Sequence, residues 1–464
     1  MDPFVGRAKE LAALNQWHDS SNSEFIPIYG RRRVGKSQLI LQFTRKLPSI
    51  YFVGKEAPGR LQVREFLRIA ARALDQPLLA TQAADDWKTA LTTTVGQHKG
   101  KKKLVLVMDE FQWAAGASPE LPSVIQECWD RSWRDSGKVM LILCGSYIGF
   151  MEREVLGQKS PLFGRRTGQI LLRPFGFREA ALFHPSYSLI DRAKTYFLCG
   201  GIPLYLQYFD SQRSVGSNLA ANVLSEYAPL YREPDFLLRE ELRDVENYYA
   251  VLTALAHGAT ANHEISAATK IDPRNLHYYL KQIEELGYLR RRHPLDGNKP
   301  TGRKVRYALD DPLLRFWFRF VFPNNSYIAQ MGPTDTLQNR IRPELDAYFG
   351  TCFETLCREA LLEFYARDAI TASFEIGEYW DKSTQIDLVG LRDDGWTDLG
   401  ECKWGTVRSR RALEAEIENK VQRYPNPRNA TIGRHVFVRK VPAAAKASRP
   451  DVQWHGLEEI YGEA

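Results

Sequence analysis

Residues 25–37 read FIPIYGRRRVGKS, an apolar run that breaks at Gly30, passes through three arginines and a valine, and ends in Gly35-Lys36-Ser37. A helical stretch, SQLILQFTRKL, continues from Ser37. The spacing G-x-x-x-x-G-K-S between a strand and a helix is that of a loop whose backbone N–H groups wrap a phosphate chain. The positive end of the following helix adds to the attraction. Gly30, Arg31, Arg32, Arg33, Val34, Gly35, Lys36 and Ser37 are therefore expected to bind a nucleotide. Lys36 would reach the β and γ oxygens of ATP, and the Ser37 hydroxyl would ligate Mg²⁺.

Working outward, the first ~240 residues alternate apolar runs with helical patterns, the sign of βαβ units around a parallel sheet. The runs are FIPIYG (25–30), SIYFVG (49–54), KLVLVMDE (103–110), VMLILCGS (139–146) and QILLRPF (169–175). They do not alternate apolar with polar, as expected of strands buried on both faces. The third run ends in Asp109 and Glu110, at the strand end where α/β sheets place their ligand crevice. Asp109 is expected to hold Mg²⁺ through water, and Glu110 to act as general base on the attacking water. Ser146 closes the fourth run, where a polar side chain would approach the γ-phosphate. Arg165 and Arg166, on the loop PLFGRRTGQI, are candidates for an arginine finger or for a solvated basic loop.

The 464 residues predict two to four domains. A composition 44% hydrophobic, 12% aromatic and 26% charged excludes a disordered or collagen-like chain. The formal net charge of +7 is too small to imply a nucleic-acid partner by itself, so its distribution must be read locally. The 6 cysteines contain no C-x-x-C pair, which points to reduced thiols and away from a disulfide framework or a zinc site. The opening MDPFVGRAKELAAL is not a signal segment, and no apolar run approaches 18 residues. A cytoplasmic protein with no membrane partner is expected.

From about Asp244 the pattern turns helical: VENYYAVLTALAH, a segment around EISAATK, and PRNLHYYLKQIEELGYL. Two short extended arms follow around a Gly/Pro/Asn turn. Three helices and a hairpin give a winged-helix outline over 241–322. The hairpin holds Arg290, Arg291, Arg292, Lys299, Arg303, Lys304 and Arg306 against the lone Asp296. That density suits nucleic acid, DNA in the first instance, with the basic side chains neutralising phosphates; a wing used for protein contacts is the other reading. The aromatics of RFWFRFVF fall at helical spacing and read as core. Residues 323–343 look like a linker.

The last segment, 344–464, reads as a small α/β domain. GTCFETLCREALLEF is a helix carrying Glu354, and the strands TQIDLVGLR and WTDLGECKW carry Asp387, Glu401 and Lys403. Residues two apart on a strand share a face, so Glu401 and Lys403 point together while Cys402 points away. Two carboxylates on neighbouring strands suit Mg²⁺ or Mn²⁺. A lysine beside them can position water and stabilise phosphorane charge. Glu354 could add a further acidic ligand, and Gln385 lies on the face of Asp387.

FVGRAKEL, GRRRVGKS, VMDEFQW, CGSYIGFM and GGIPLYL, in that order over roughly 1–240, resemble the archaeal-type ATPases of the AAA/STAND division of P-loop NTPases. The resemblance implies an ATPase with a helical lid that assembles into rings or clusters, and places Phe4, Gly6 and Arg7 near the adenine end of the site. The C-terminal order of helix Glu, ID and E-x-K resembles the PD-(D/E)XK nuclease superfamily, with Ile386 where that superfamily has Pro. It implies Glu354, Asp387 and Glu401 around a metal, and Lys403 as the catalytic lysine. The expected architecture is a P-loop parallel sheet with a helical lid (1–240), a winged helix, a linker and a restriction-endonuclease-like domain. Two functions follow: an ATP-regulated, metal-dependent DNA nuclease, or an ATP-dependent DNA-binding switch whose last domain is non-catalytic.

Overall fold

The computed structural model describes residues 4–82, 84–298, 304–442 and 451–462. Its chain divides into two compact units, 1–174 and 175–464.

In the first unit, β1 (Glu24–Tyr29), β2 (Ser49–Val53), β3 (Leu104–Asp109), β4 (Val139–Gly145) and β5 (Ile170–Leu171) form one sheet in the order β2-β3-β4-β1-β5. Every pairing is parallel. All residues of β1, β3 and β4 are buried, which is why these runs lack alternation. Phe52, Phe66 and Trp87 pack edge to face within the core on one side of the sheet. β5 is shorter than the expected run 169–175. It is an edge strand, and Pro174 lacks the N–H needed to continue the ladder. With β4 between β1 and β3, the carboxyl ends of these strands converge. They carry residues 30–35, Asp109-Glu110 and Ser146 to one edge of the sheet.

The second unit begins with helices. Residues 175–240, expected with the nucleotide-binding domain, belong to this unit, so the compact body ends well before 240. The helices Val245–Ala256, Asn262–Thr269 and Pro273–Glu285 precede an antiparallel hairpin of β6 (Leu289–Arg292) and β7 (Arg306–Leu309). The stretch 323–343, expected as a linker, is helical instead. Gly332 (φ 80°) breaks the helix Asn325–Thr336, and Pro333 restarts it in a first-turn position where its missing N–H costs nothing. Glycine and proline mark a kink here, and the turn-rich composition misled the sequence reading.

The long helix Arg342–Arg367 leads into β8 (Phe374–Trp380), β9 (Gln385–Arg392), β10 (Trp396–Lys403), β11 (Thr431–Val438) and β12 (Val452–His455). These form a mixed sheet in sequential order, antiparallel from β8 to β10 and parallel from β10 to β12. The hairpin is anchored to this sheet. Leu295 sits in its hydrophobic core, its N–H donates to the Glu378 carbonyl (2.8 Å), and its own carbonyl accepts from the Tyr424 hydroxyl (3.0 Å). All six cysteines are buried and unbridged.

Candidate active site

The loop after β1 is built on two glycines with positive φ, Gly30 (155°) and Gly35 (91°). A Cβ on Gly30 would fall 2.2 Å from the Leu172 carbonyl oxygen, so only glycine lets the loop leave the strand at this point. Arg33 is also left-handed (φ 69°), which turns the loop back toward the helix Lys36–Thr44. Arg7, from the opening motif, donates to the Val34 carbonyl at 3.0 Å and to the Arg173 carbonyl at 2.8 Å. Phe4 and Gly6 are half-buried beside it in the chain.

Lys36 is buried, and its ammonium donates to the carbonyls of Gly30 (2.8 Å) and Arg31 (3.0 Å). Burial holds its pKa below the usual lysine value, against the opposing pull of Cys144, Glu110 and Asp109. A buried cation satisfied by neutral carbonyls suits a phosphate anion. The Ser37 hydroxyl donates to Asp109 Oδ2 at 2.7 Å, bringing the two expected Mg²⁺ groups together from sequence positions 72 apart. A hydroxyl and a carboxylate form the oxygen donor set that Mg²⁺ takes beside nucleotide phosphates, so these residues fit the ion.

Glu110 follows Asp109 in a left-handed conformation (φ 47°), and its N–H donates to Asp109 Oδ1 (2.9 Å). Its Oε2 accepts from the Ser146 hydroxyl at 2.8 Å and from the Gln112 amide. Gln112 also contacts Ser146 Oγ at 3.3 Å. Ser146 thus stands against the expected base. Gln112 and Tyr51, whose hydroxyl lies 2.5 Å from Asp109 Oδ2, were missed by the sequence reading. The i+2 spacing of Gln112 from Glu110 was a usable signal; Tyr51 had none. Arg165 is committed elsewhere, to a bidentate pair with Asp130 (Nη2–Oδ2 2.7 Å) and to the carbonyls of Pro161 and Phe163. Arg166 is exposed.

In the second unit, β9 and β10 place Asp387 beside the Glu401–Lys403 strand. Asp387 Oδ2 accepts from the Cys402 N–H at 3.1 Å. Lys403 pairs with Glu401 Oε1 at 2.7 Å and with Glu416 at 3.3 Å, while Lys420 takes Glu401 Oε2. Burial, then the Asp387 charge, push the Glu401 carboxyl up to about 7 against the pull of Lys420. The same two causes push Glu354 up to about 7. Burial works against the Lys403 ammonium, but Glu401 and Glu416 outweigh it and raise its pKa. Arg358 donates to the Asp387 carbonyl at 2.6 Å and stands 4.0 Å from Glu354. Gln385 is exposed and lines a cavity of about 520 Å³ with Glu416, Lys420 and Arg423. The expected residues are thus neighbours, but as arranged they do not fit a metal. Glu401 is neutralised by two lysines, and among the described residues no three His, Cys, Asp or Glu are placed to hold an ion.

Four basic residues of the hairpin have acidic partners in the structure. Arg290 pairs with Asp310 (3.5 Å), Arg291 with Glu284 (2.7 Å), Arg292 with Glu378 (2.7 Å) and Lys304 with Asp296 (3.9 Å). Arg306 lies over the Trp380 ring, 4.6 Å from its centroid. Lys299 and Arg303 lie outside the described residues. Glu284 and Asp296 are near neighbours of their partners in sequence, whereas Glu378 is remote, and Arg292 and Arg306 pack against β8. Among the described residues no helix is long and apolar enough to cross a membrane.

Residues 4–209 match a family described as an ATPase domain predominantly from Archaea, and residues 317–417 match a family of archaeal and bacterial proteins of unknown function. An uncharacterized protein of Methanocaldococcus jannaschii is 31% identical over 409 residues, 88% of this chain and 89% of that protein. The fold is similar to a Walker-type ATPase of Pyrococcus abyssi, at 18% identity and a TM-score of 0.51, over 68% of this chain and 96% of that one. With the phosphate loop, the Asp109–Ser37 contact and the parallel sheet all in place, the chain belongs to the same family as the M. jannaschii protein, and in this chain an archaeal-type ATPase domain is followed by a mixed-sheet domain.

Proposed function

We propose that this protein is an ATP-hydrolysing switch. One observation carries the reading: Lys36, Ser37, Asp109 and Glu110 meet at the carboxyl edge of a parallel sheet, with Ser37 and Asp109 in direct contact. The phosphate loop binds the triphosphate through its backbone N–H groups, and Lys36 exchanges its two carbonyl partners for phosphate oxygens. Ser37 and Asp109 would hold Mg²⁺, which when bound neutralises charge on the β and γ phosphates. Glu110 takes a proton from the attacking water at Oε1, the oxygen that Ser146 and Gln112 leave for it. The chain has a pair of acids with distinct duties in adjacent positions, and the left-handed backbone at Glu110 aims them apart.

A second reading, that the C-terminal unit cuts nucleic acid, is favoured by the meeting of Asp387, Glu401 and Lys403 on β9 and β10. The three helices and hairpin of that unit support a winged-helix reading. The lysine-neutralised Glu401 and the internally paired hairpin favour the switch.

One experiment addresses both. Wild type and Lys36→Ala are assayed for phosphate release and, with Mg²⁺ or Mn²⁺, for cleavage of plasmid and linear DNA. The variant is expected to lose ATP turnover by at least about a hundredfold. An unchanged rate would defeat the ATPase assignment. Cleavage by wild type that is lost in Lys403→Ala would establish the second reading; an absence of cleavage by ATP-hydrolysing protein rejects it.

A further inference from the structure

β2 and β3 pair in register, with Val53 opposite Asp109 and Tyr51 opposite Val107. Alternate residues of a strand share a face, so Tyr51 stands diagonally across from Asp109, while Phe52 turns into the core against Phe66 and Trp87. A phenol is long enough to span that diagonal. The Tyr51 hydroxyl donates to Asp109 Oδ2 at 2.5 Å, on the same oxygen that accepts Ser37 Oγ at 2.7 Å. Oδ1 is taken by the Glu110 N–H at 2.9 Å. Three donors from three places in the chain hold this carboxylate, and the buried Cys144 thiol also bonds to it.

They are not equivalent. Ser37 belongs to the phosphate loop, and its hydroxyl has to serve two partners, offering a lone pair to a nucleotide-bound cation while its proton stays on Asp109. The Glu110 N–H is adjacent in sequence and constrains only the oxygen nearer the backbone. Tyr51 comes from a neighbouring strand, outside the loop, so its bond to Asp109 ties the carboxylate to the sheet independently of the phosphate loop. Resting on the ATPase reading above, we propose that Tyr51 is a positioning residue. Its hydroxyl holds the Asp109 carboxylate aimed at the nucleotide-bound divalent cation.

A phenol carries its proton near neutral pH, so Tyr51 can act as the donor in this bond. The alternative is a phenol that merely fills space and finds the nearest acceptor. That role would affect stability and leave the cation's affinity unchanged.

Full-length wild type and Tyr51→Phe separate the two. Three quantities are measured: affinity for a fluorescent ADP analogue in EDTA, affinity of the ADP complex for Mn²⁺ by electron paramagnetic resonance, and the Mg²⁺ dependence of ATP hydrolysis. The expected result is a loss of about tenfold in Mn²⁺ affinity and a matching rise in the Mg²⁺ requirement. Affinity for ADP without metal should stay within about twofold of wild type. Unchanged Mn²⁺ affinity in the variant would overturn the proposal, as would equal losses with and without metal. Wild type that binds ADP but hydrolyses no ATP would sink the ATPase reading while leaving the Mn²⁺ comparison to judge Tyr51. Wild type that binds no nucleotide at all would overturn both.

Discussion

At the scale of single residues, the site works by limiting where carboxylate oxygens can go. Asp109 has both oxygens committed to donors, whereas Glu110 has two donors on Oε2, Ser146 and Gln112. In the proposed mechanism a base so held would abstract a proton from a fixed direction, which is the value of orientation in catalysis. Ser146→Ala removes one of these donors without touching the phosphate loop. Turnover is expected to fall by about tenfold or more while ATP affinity is preserved, as measured by steady-state rates beside equilibrium binding. A rise in the half-saturating ATP concentration at constant turnover would place Ser146 on the ground-state phosphate. Ser146 was legible from its position after an apolar strand. Its bond to Glu110 was not, because strand order decides which ends meet.

At the scale of elements, the hairpin of β6 and β7 shows how composition misleads. Its seven basic residues suggested a phosphate-binding wing. Four of them pair with Asp310, Glu284, Glu378 and Asp296, and for Glu378 only the fold brings the acid within reach. Arg292 matters most, because Glu378 keeps only 7% of its side-chain exposure beside it. Removing one member of a buried pair leaves the other charged and dry, at a cost of about 3 kcal/mol. Arg292→Ala is therefore expected to lower the denaturation midpoint clearly, with no effect on DNA retention in a mobility shift beyond what unfolding explains. A variant of normal stability and weakened DNA binding would restore the wing to its first role. The five-stranded parallel sheet, by contrast, was readable almost strand by strand, since burial on both faces imposes uninterrupted apolar runs.

At the scale of the whole molecule, the modest net charge of +7 conceals extensive internal pairing and some acids whose pKa burial raises. Glu359, on the helix Arg342–Arg367, accepts from the Tyr196 hydroxyl at 2.8 Å and joins that helix to Leu189–Cys199. Burial pushes its carboxyl from 4.5 up to about 7. Between those values the folded chain keeps a proton that the unfolded chain has released, so stability falls as pH rises through this window. Glu359→Gln keeps the acceptor and cannot ionise. It is expected to raise stability at pH 8 by on the order of 1–2 kcal/mol and to leave stability near pH 4.5 almost unchanged. Melting temperatures of both proteins across that range supply the check; equal pH slopes would assign the dependence to other groups.

By itself the sequence determined the nucleotide loop, the Asp109-Glu110 pair and the parallel sheet around them. Each is a local pattern, written in neighbouring residues by backbone geometry and burial. The tertiary structure alone decided that Tyr51 reaches Asp109, that Ser146 and Gln112 hold Glu110, that lysines neutralise Glu401 and that Arg292 of the hairpin meets Glu378. Those facts depend on which strand ends and helix faces are brought together, and electrostatic contacts between residues remote in sequence leave no periodic trace along the chain.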